Sequence, residues 1–496
     1  MAINASEQCG TGIEGLDDIL GGGFPRNRLH LIQGDPGVGK TTLALQFLMA
    51  GAAVGEQGLY ITLSETKSEL LDVAKSHGWS LDGLAILELS EIETELLKEA
   101  QNTLFHPSEV ELNRTTKRLI EEVDRVKPVR MVVDSLSEMQ LLAETPLRYR
   151  RQMLAFKQYF SGRQITVLFL DDRSRDPDLQ IQSIAHGVLG LEKAALTYGV
   201  ERRRLKVVKM RGLKFRAGYH DYIIERGGLH VFPRLVASEH HSPFIRGTIS
   251  SGLKPLDELL GGGLDRGTST LILGPAGSGK STAAMQFAMS CADMKEKALI
   301  FTFDEGMGTL LTRAREIGMH VDKHLESGAI TVQQVDPAEL PPGQFASRIR
   351  DAVQRHGVKL IIIDSLNGYL NAMPDEKFLS IQMHELLIYL GQQGVLTIMT
   401  LTQHGMMGSM SSPVDLSYLA DTVVLLRYFE AMGHVKKAIS VIKKRSGSHE
   451  ASLREYRIDK LGIQVGQPLR SFQGVLTGVP AFVGTAEEMI KPSATG

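Results

Sequence analysis

A lysine and a hydroxyl side chain placed after a glycine-spaced loop can hold a polyphosphate, and this chain of 496 residues carries that combination twice. Gly34 to Thr42 reads GDPGVGKTT, and Gly274 to Thr282, 240 residues later, reads GPAGSGKST. Both match G-x-x-x-x-G-K-[ST]. Its glycines let successive backbone N–H groups wrap an anion, its lysine reaches the terminal phosphates, and its hydroxyl ligates magnesium. Gly34, Gly37, Val38, Gly39, Lys40, Thr41 and Thr42 are therefore candidate nucleotide-binding residues. So are Gly274, Gly277, Ser278, Gly279, Lys280, Ser281 and Thr282. ATP and Mg2+ are the expected substrate and cofactor.

Carboxylates at matching places supply the rest of a phosphoryl-transfer site. Asp134 and Asp364 end the apolar runs VRMVVD and LIIID, where each could hold magnesium beside Thr41 or Ser281. The alternative is an aspartate capping a strand-to-helix turn. Glu65, Asp304 and Glu305 follow GLYITL and ALIFTF, on the strand expected to neighbour the phosphate loop. A carboxylate there suits orienting or deprotonating an attacking water, and Glu305 could also touch the metal. The alternative is an acid complementing a helix dipole. Lys209 with Arg211, and Lys443 with Arg445, sit two apart on late strands, which places each pair on one face. They cannot readily reach their own loop but could serve the nucleotide of a neighbouring subunit. Cations that keep an edge strand soluble are the rival reading.

The elements that must position these residues repeat as well. Thr11 to Gly23, TGIEGLDDILGGG, returns as Ser251 to Gly263, SGLKPLDELLGGG, aligning Asp17 with Asp257. A period of domain size indicates tandem duplication. Each phosphate loop follows an apolar run (RLHLIQ, TSTLIL) and opens a helix. Strands alternate with helices such as Ser108 to Val126, with Ser108 as its N-cap, and several strands are apolar throughout. That pattern predicts an α/β protein of two mostly parallel sheets covered by helices, each with a β-rich C-terminal part. Gly227-Gly228 reads as a hairpin turn there. The expected domains are 1–233 and 247–470, with a linker at 234–246 and a tail at 471–496, frayed after Pro480. His240 and His241 read as part of a solvated linker more readily than as metal ligands.

Composition is that of a soluble globular protein, 43% hydrophobic and 23% charged. A net charge of −2 gives no global basic field for nucleic acid, although RRRLKVVKMRGLKFR, Arg202 to Arg216, is locally very basic. Cys9 and Cys291 stand far apart and form no metal or redox motif. With no signal-like start and no long apolar run, a cytoplasmic protein without a membrane partner is expected.

With these residues placed, the chain resembles the KaiC-type family, the double-domain RecA-superfamily ATPases of bacterial circadian clocks. The likeness rests on both phosphate loops, the GxxxLDxxLGGG lead-in, Gly78-Trp79, VVDS and IIDS, KMRG, and SYLADTVVLL at Ser417 to Leu426. It implies two tandem RecA-like P-loop domains in a homo-oligomeric, hexameric ring with ATP between subunits. It also implies catalytic roles for Glu65, Asp304 and Glu305, and contacts in trans from Lys209, Arg211, Lys443 and Arg445. A partner of the KaiB type is expected. A KaiA-type activator is not, because most of the longer tail that binds it is missing here. Where the family carries two adjacent acids in the first tier, this chain has Ser64-Glu65. Its Ser417-Tyr418 stands where the family phosphorylates a Ser-Thr pair, so Ser417 is a candidate phosphosite of a second-domain autokinase. The family thus implies a clock-like, signalling or stress-related switch. The alternatives are a RecA- or RadA-like DNA-binding ATPase and a scaffold that nucleotide only staples together.

Overall fold

The computed structural model describes residues 7–89, 107–172, 179–195, 199–371, 379–403, 418–431, 433–476 and 481–483. The chain divides into two compact units, Met1–Arg234 and Leu235–Gly496.

The first unit is built from β1 (Leu29–Gly34), α1 (Lys40–Ala53), β2 (Gly58–Thr62), α2 (Lys67–Ser76), β3 (Ala85–Glu88), α3 (Pro107–Val126) and β4 (Arg130–Asp134). It continues with α4 (Leu136–Ala143), α5 (Pro146–Ser161), β5 (Thr166–Asp172), α6 (Leu179–Ile184), β6 (Gly187–Ala194), β7 (Arg202–Met210), β8 (His220–Glu225) and β9 (Gly228–Phe232). Among the described residues these strands form one nine-stranded sheet, ordered β3-β2-β4-β5-β1-β6-β7-β8-β9. Pairings from β3 to β6 are parallel, and those from β6 to β9 are antiparallel.

The second unit repeats this plan. Its elements are β10 (Ser269–Gly274), α7 (Lys280–Asp293), β11 (Lys297–Thr302), α8 (Met307–Glu316), β12 (Ile330–Gln334), α9 (Pro342–His356) and β13 (Val358–Asp364). Then come α10 (Leu366–Asn371), α11 (Leu379–Gln392), β14 (Leu396–Thr402), β15 (Thr422–Ala431), β16 (His434–Lys444), β17 (Arg454–Asp459) and β18 (Gly462–Pro468). The sheet order is β12-β11-β13-β14-β10-β15-β16-β17-β18, position for position that of the first unit.

Inner parallel strands such as β4 and β13 are largely apolar because both faces of each sheet are covered, whereas the edge strand β12, ITVQQ, is only partly buried. Alternate residues feed separate cores: Met131 and Val133 of β4 join one, and Val132 joins the other. Helix α5 covers the first of these with Tyr149, Met153, Phe156 and Phe160, a spacing of four, three and four. Thr145 caps it, accepting from the Arg148 N–H, and Pro146 opens its first turn.

Several expectations need correction. The strand bearing Glu65 does not neighbour the phosphate-loop strand; β5 and β4 lie between β1 and β2, and β14 and β13 separate β10 from β11 in the same way. The crossover after the phosphate loop skips two positions, which later strands fill. Ser108 lies inside the first turn of α3, which begins at Pro107, and so is not its N-cap. The hairpin turn after β8 is Arg226-Gly227, since Glu225 pairs with Gly228. The stretch expected as a solvated linker docks on the second unit: Ala237 is buried, its N–H donates to Glu385, and the His240 ring packs on Tyr389. The tail from 484 onward lies outside the described residues.

Candidate functional site

Each phosphate loop joins the C-terminal end of the central parallel strand to a helix. The third glycine of the pattern caps that helix in a left-handed conformation, Gly39 at φ 96° and Gly279 at φ 102°. A side chain is excluded there for a second reason. A Cβ on Gly39 would lie 2.5 Å from Ile224 Cδ1, and one on Gly279 would lie 2.4 Å from Ile458 Cδ1. Strands β8 and β17 therefore press against the loops from behind. Each also braces its loop by a buried tyrosine hydroxyl: Tyr222 donates to the Val38 carbonyl at 2.7 Å, and Tyr456 to the Gly279 carbonyl at 3.3 Å. Neither tyrosine carries a sequence signal; only the pairing of β8 and β17 into the sheet brings them under the loop.

Around the first loop, the Lys40 ammonium donates to the carbonyls of Gly34 at 2.7 Å and Asp35 at 3.1 Å, and to Asp172 Oδ1 at 2.6 Å. Thr41 Oγ1 donates to Asp134 Oδ2 at 3.0 Å, and the Tyr60 hydroxyl to the same oxygen at 2.6 Å. Burial raises the Asp134 carboxyl above its ordinary value, against the pull of the hydrogen bonds from Tyr60 and Thr41. Glu65 follows β2. Its backbone is pinned by Thr62, whose hydroxyl donates to the Glu65 carbonyl at 2.7 Å. Immediately after it, Thr66 and Glu69 form a capping box that starts α2. Glu65 Oε2 is buried and has no hydrogen-bond partner among the described residues. Burial, then the nearby Asp134 charge, raises the Glu65 carboxyl. A half-buried carboxyl with an enclosed, unengaged oxygen and raised proton affinity is suited to accepting a proton.

The second pocket is set differently. Lys280 donates to the carbonyls of Gly274 at 3.0 Å and Pro275 at 2.9 Å, and burial lowers its ammonium to about 8 despite Asp364 and Asp304. Asp364 Oδ1 accepts from Thr400, not from Ser281. Asp304 accepts from the Ser365 hydroxyl. Glu305 is tied to Arg313 of α8, Oε1 to Nη1 at 2.7 Å. The corresponding position in the first unit is Val73, and the N-cap of α8, Gly306, has no side chain to cap it. Both pockets thus bring the lysine, the hydroxyl helix turn, the strand-end aspartate and the following acid to one end of the sheet. They differ in which of these is held by an ion pair.

The late cations are not arranged as i and i+2 on a strand. Strand β7 ends at Met210 and β16 at Lys444, so Arg211 and Arg445 lie just beyond. A bulge leaves Val208 and Ile442 unpaired just before each lysine, and each pair still turns to one neighbouring segment. Within their own unit these side chains cap backbone carbonyls. Lys209 donates to Gln182 and Arg211 to Ser183 at 2.8 Å; Lys443 donates to Ala420 at 2.8 Å and Arg445 to Tyr418 at 3.3 Å. Ser417 lies outside the described residues.

Part of the basic run from Arg202 to Arg216 is paired with acids. Arg203 pairs with Glu201 at 3.1 Å, Arg204 with Asp221 at 3.4 Å, Lys206 with Glu192 at 3.0 Å and Arg216 with Asp18 at 2.7 Å. Cations already paired with acids offer less to a phosphate backbone, and the DNA-binding alternative loses part of its support. Among the described residues no helix is long and apolar enough to cross a membrane.

A family model described as the KaiC ATPase matches the chain twice, over residues 9–236 and 249–470. Similar curated proteins are circadian clock oscillator proteins KaiC. That of Thermostichus vulcanus is 26% identical over 96% of this chain and 92% of its own length. That of Nostoc sp. is 26% identical over 98% and 94%. That of Synechococcus elongatus is 25% identical over 96% and 92%.

Proposed function

The chain belongs to the KaiC family of ATPases, and from that premise we propose that both units bind ATP with Mg2+ and hydrolyse it as parts of a homo-oligomeric, hexameric ring. The observation that carries this reading is the duplicated pocket, above all Thr41 hydrogen-bonded to Asp134 beside a buried, unengaged Glu65 oxygen. Hard oxygen donors of this kind suit magnesium: Thr41 and Asp134 would hold it in the first unit, and Ser281 and Asp364, with Glu305 nearby, in the second. The bound ion would neutralise charge on the phosphate oxygens. Lys40 and Lys280 leave the loop carbonyls to meet the terminal phosphates, and the loop N–H groups wrap the rest. Glu65 accepts the proton of the attacking water, and Asp304 with Glu305 does so in the second unit.

In the assembled ring, Lys209, Arg211, Lys443 and Arg445 leave their carbonyl caps and reach the nucleotide of the next subunit. In the second unit a serine hydroxyl, Ser417, can replace water as acceptor, which makes that unit an autokinase. A partner of the KaiB type then reads the resulting change of ring conformation, in a clock-like or signalling switch. Incubating the purified protein with ATP and Mg2+, followed by native mass spectrometry and phosphopeptide mapping, tests these points together. The expected result is a hexamer with phosphate at Ser417; a monomer that releases no ADP contradicts the reading.

The Arg313–Glu305 pair has a consequence for the second unit. A carboxylate oxygen already accepting from a guanidinium is a weaker acceptor for a second hydrogen bond from water. Arg313→Val, which installs the first unit's residue, is expected to raise ADP release by the second unit about fivefold, measured in a Lys40→Ala background. This corresponds to about 1 kcal/mol for a half-exposed charged pair.

A further inference from the structure

The two phosphate loops face different residues across the sheet. Gly34 of β1 pairs with Asp172, and Gly274 of β10 pairs with Thr402, so Asp172 and Thr402 occupy one structural position. In the first unit that position carries a charge, and the charge holds the phosphate-loop lysine at 2.6 Å. Its placement is supported by Ser137, whose hydroxyl accepts from the Asp172 N–H at 3.3 Å. In the second unit Thr402 bonds Asn367 through its backbone instead, the N–H donating to Asn367 Oδ1 at 2.7 Å, and Lys280 is left to the loop carbonyls.

We infer that Asp172 is a built-in competitor for the triphosphate, a positioning residue that makes the first pocket bind nucleotide more weakly than the second. This rests on the reading that both pockets bind ATP. To meet a phosphate, Lys40 must release a carboxylate, and the incoming anion must then sit beside that carboxylate. Both steps cost free energy that the second pocket does not spend. The cost grows with the charge of the ligand, because like charges repel more strongly the more of them there are. Asp172 thus tunes the first pocket to release nucleotide readily and to be filled only when ATP is abundant.

The test uses the full chain in a Lys280→Ala background, which confines binding to the first unit. Dissociation constants for ATP, ADP and AMP are measured by calorimetry for the parent and for Asp172→Thr and Asp172→Asn. The expected result is an ATP constant about tenfold lower in both variants, a free-energy change of ~1.4 kcal/mol, with the gain shrinking from ATP to AMP. The reciprocal Thr402→Asp, in a Lys40→Ala background, weakens ATP binding to the second unit by a similar factor. An unchanged or weakened ATP affinity in both Asp172 variants, with a parent that binds normally, overturns this inference alone. A gain equal for ATP and AMP also overturns it, since that is the mark of a merely structural effect. A parent in which the first unit binds no nucleotide at all overturns the two-pocket reading and this inference with it.

Discussion

Glu65→Gln is expected to lower ATP turnover by the first unit about 10²- to 10⁴-fold while leaving nucleotide binding in place. The substitution keeps the shape of the side chain and its seat after β2, where Thr62 holds the backbone. It removes only the ability to take a proton. The raised proton affinity of Glu65 follows from burial and from the Asp134 charge, and both persist in the variant's surroundings. Measured as ADP release in a Lys280→Ala background, a loss of less than about fivefold would show that another group handles the water's proton. The companion substitution Glu305→Gln should abolish phosphate incorporation by the second unit.

A second large effect is expected far from the phosphates. Arg130, at the start of β4, is 2% exposed and ties three segments together. It donates to Glu56 at 2.6 Å, to the Gly10 carbonyl at 2.7 Å and to the Phe47 carbonyl at 2.8 Å, and it lies over the Phe47 ring. Arg130→Ala removes a buried donor from two carbonyls and leaves the Glu56 carboxylate to Arg26 alone, and is expected to cost the first unit about 3–5 kcal/mol. The chain has one tryptophan, Trp79, packed against the first unit's core, so its fluorescence reports that unit's unfolding. Burial alone would raise the Glu56 carboxyl, but hydrogen bonds from Arg130 and Arg26 hold it below its ordinary 4.5. A carboxylate held low stabilises the fold above its unfolded value, and that contribution is lost as pH falls through its folded value. The gap between wild type and Arg130→Ala should therefore narrow on acidification below about pH 4.5. A constant gap would place the effect in packing and not in the ion pair.

The duplication, the α/β class and the lead-in loops were legible because they depend on local signals: glycine spacing, apolar runs and a repeat. The lead-in aspartates illustrate this, since Asp17 and Asp257 accept from the N–H groups of Thr11 and Ser251 within six residues of chain. What could not be read depended on which strands lie side by side. The spacing of Glu65 from the phosphate loop says nothing of the two strands inserted between β1 and β2. Asp172 meets Lys40 across 132 residues of chain, and Tyr222 meets Val38 across 184. That Arg211 and Arg445 fall just past the ends of β7 and β16 was not legible either, because where a strand stops depends on the length of its partner. The difference between Val73 and Arg313 was visible in principle, as aligning the halves at the phosphate loops also aligns these positions.

The central claim is that one chain holds two triphosphates, each gripped by its own lysine. The most direct measurement is the number of nonhydrolysable ATP analogues bound per chain in the presence of Mg2+, for the wild type, Lys40→Ala, Lys280→Ala and the double variant. The account predicts two, one, one and none. One analogue per wild-type chain, or a single-lysine variant that still binds two, would contradict it.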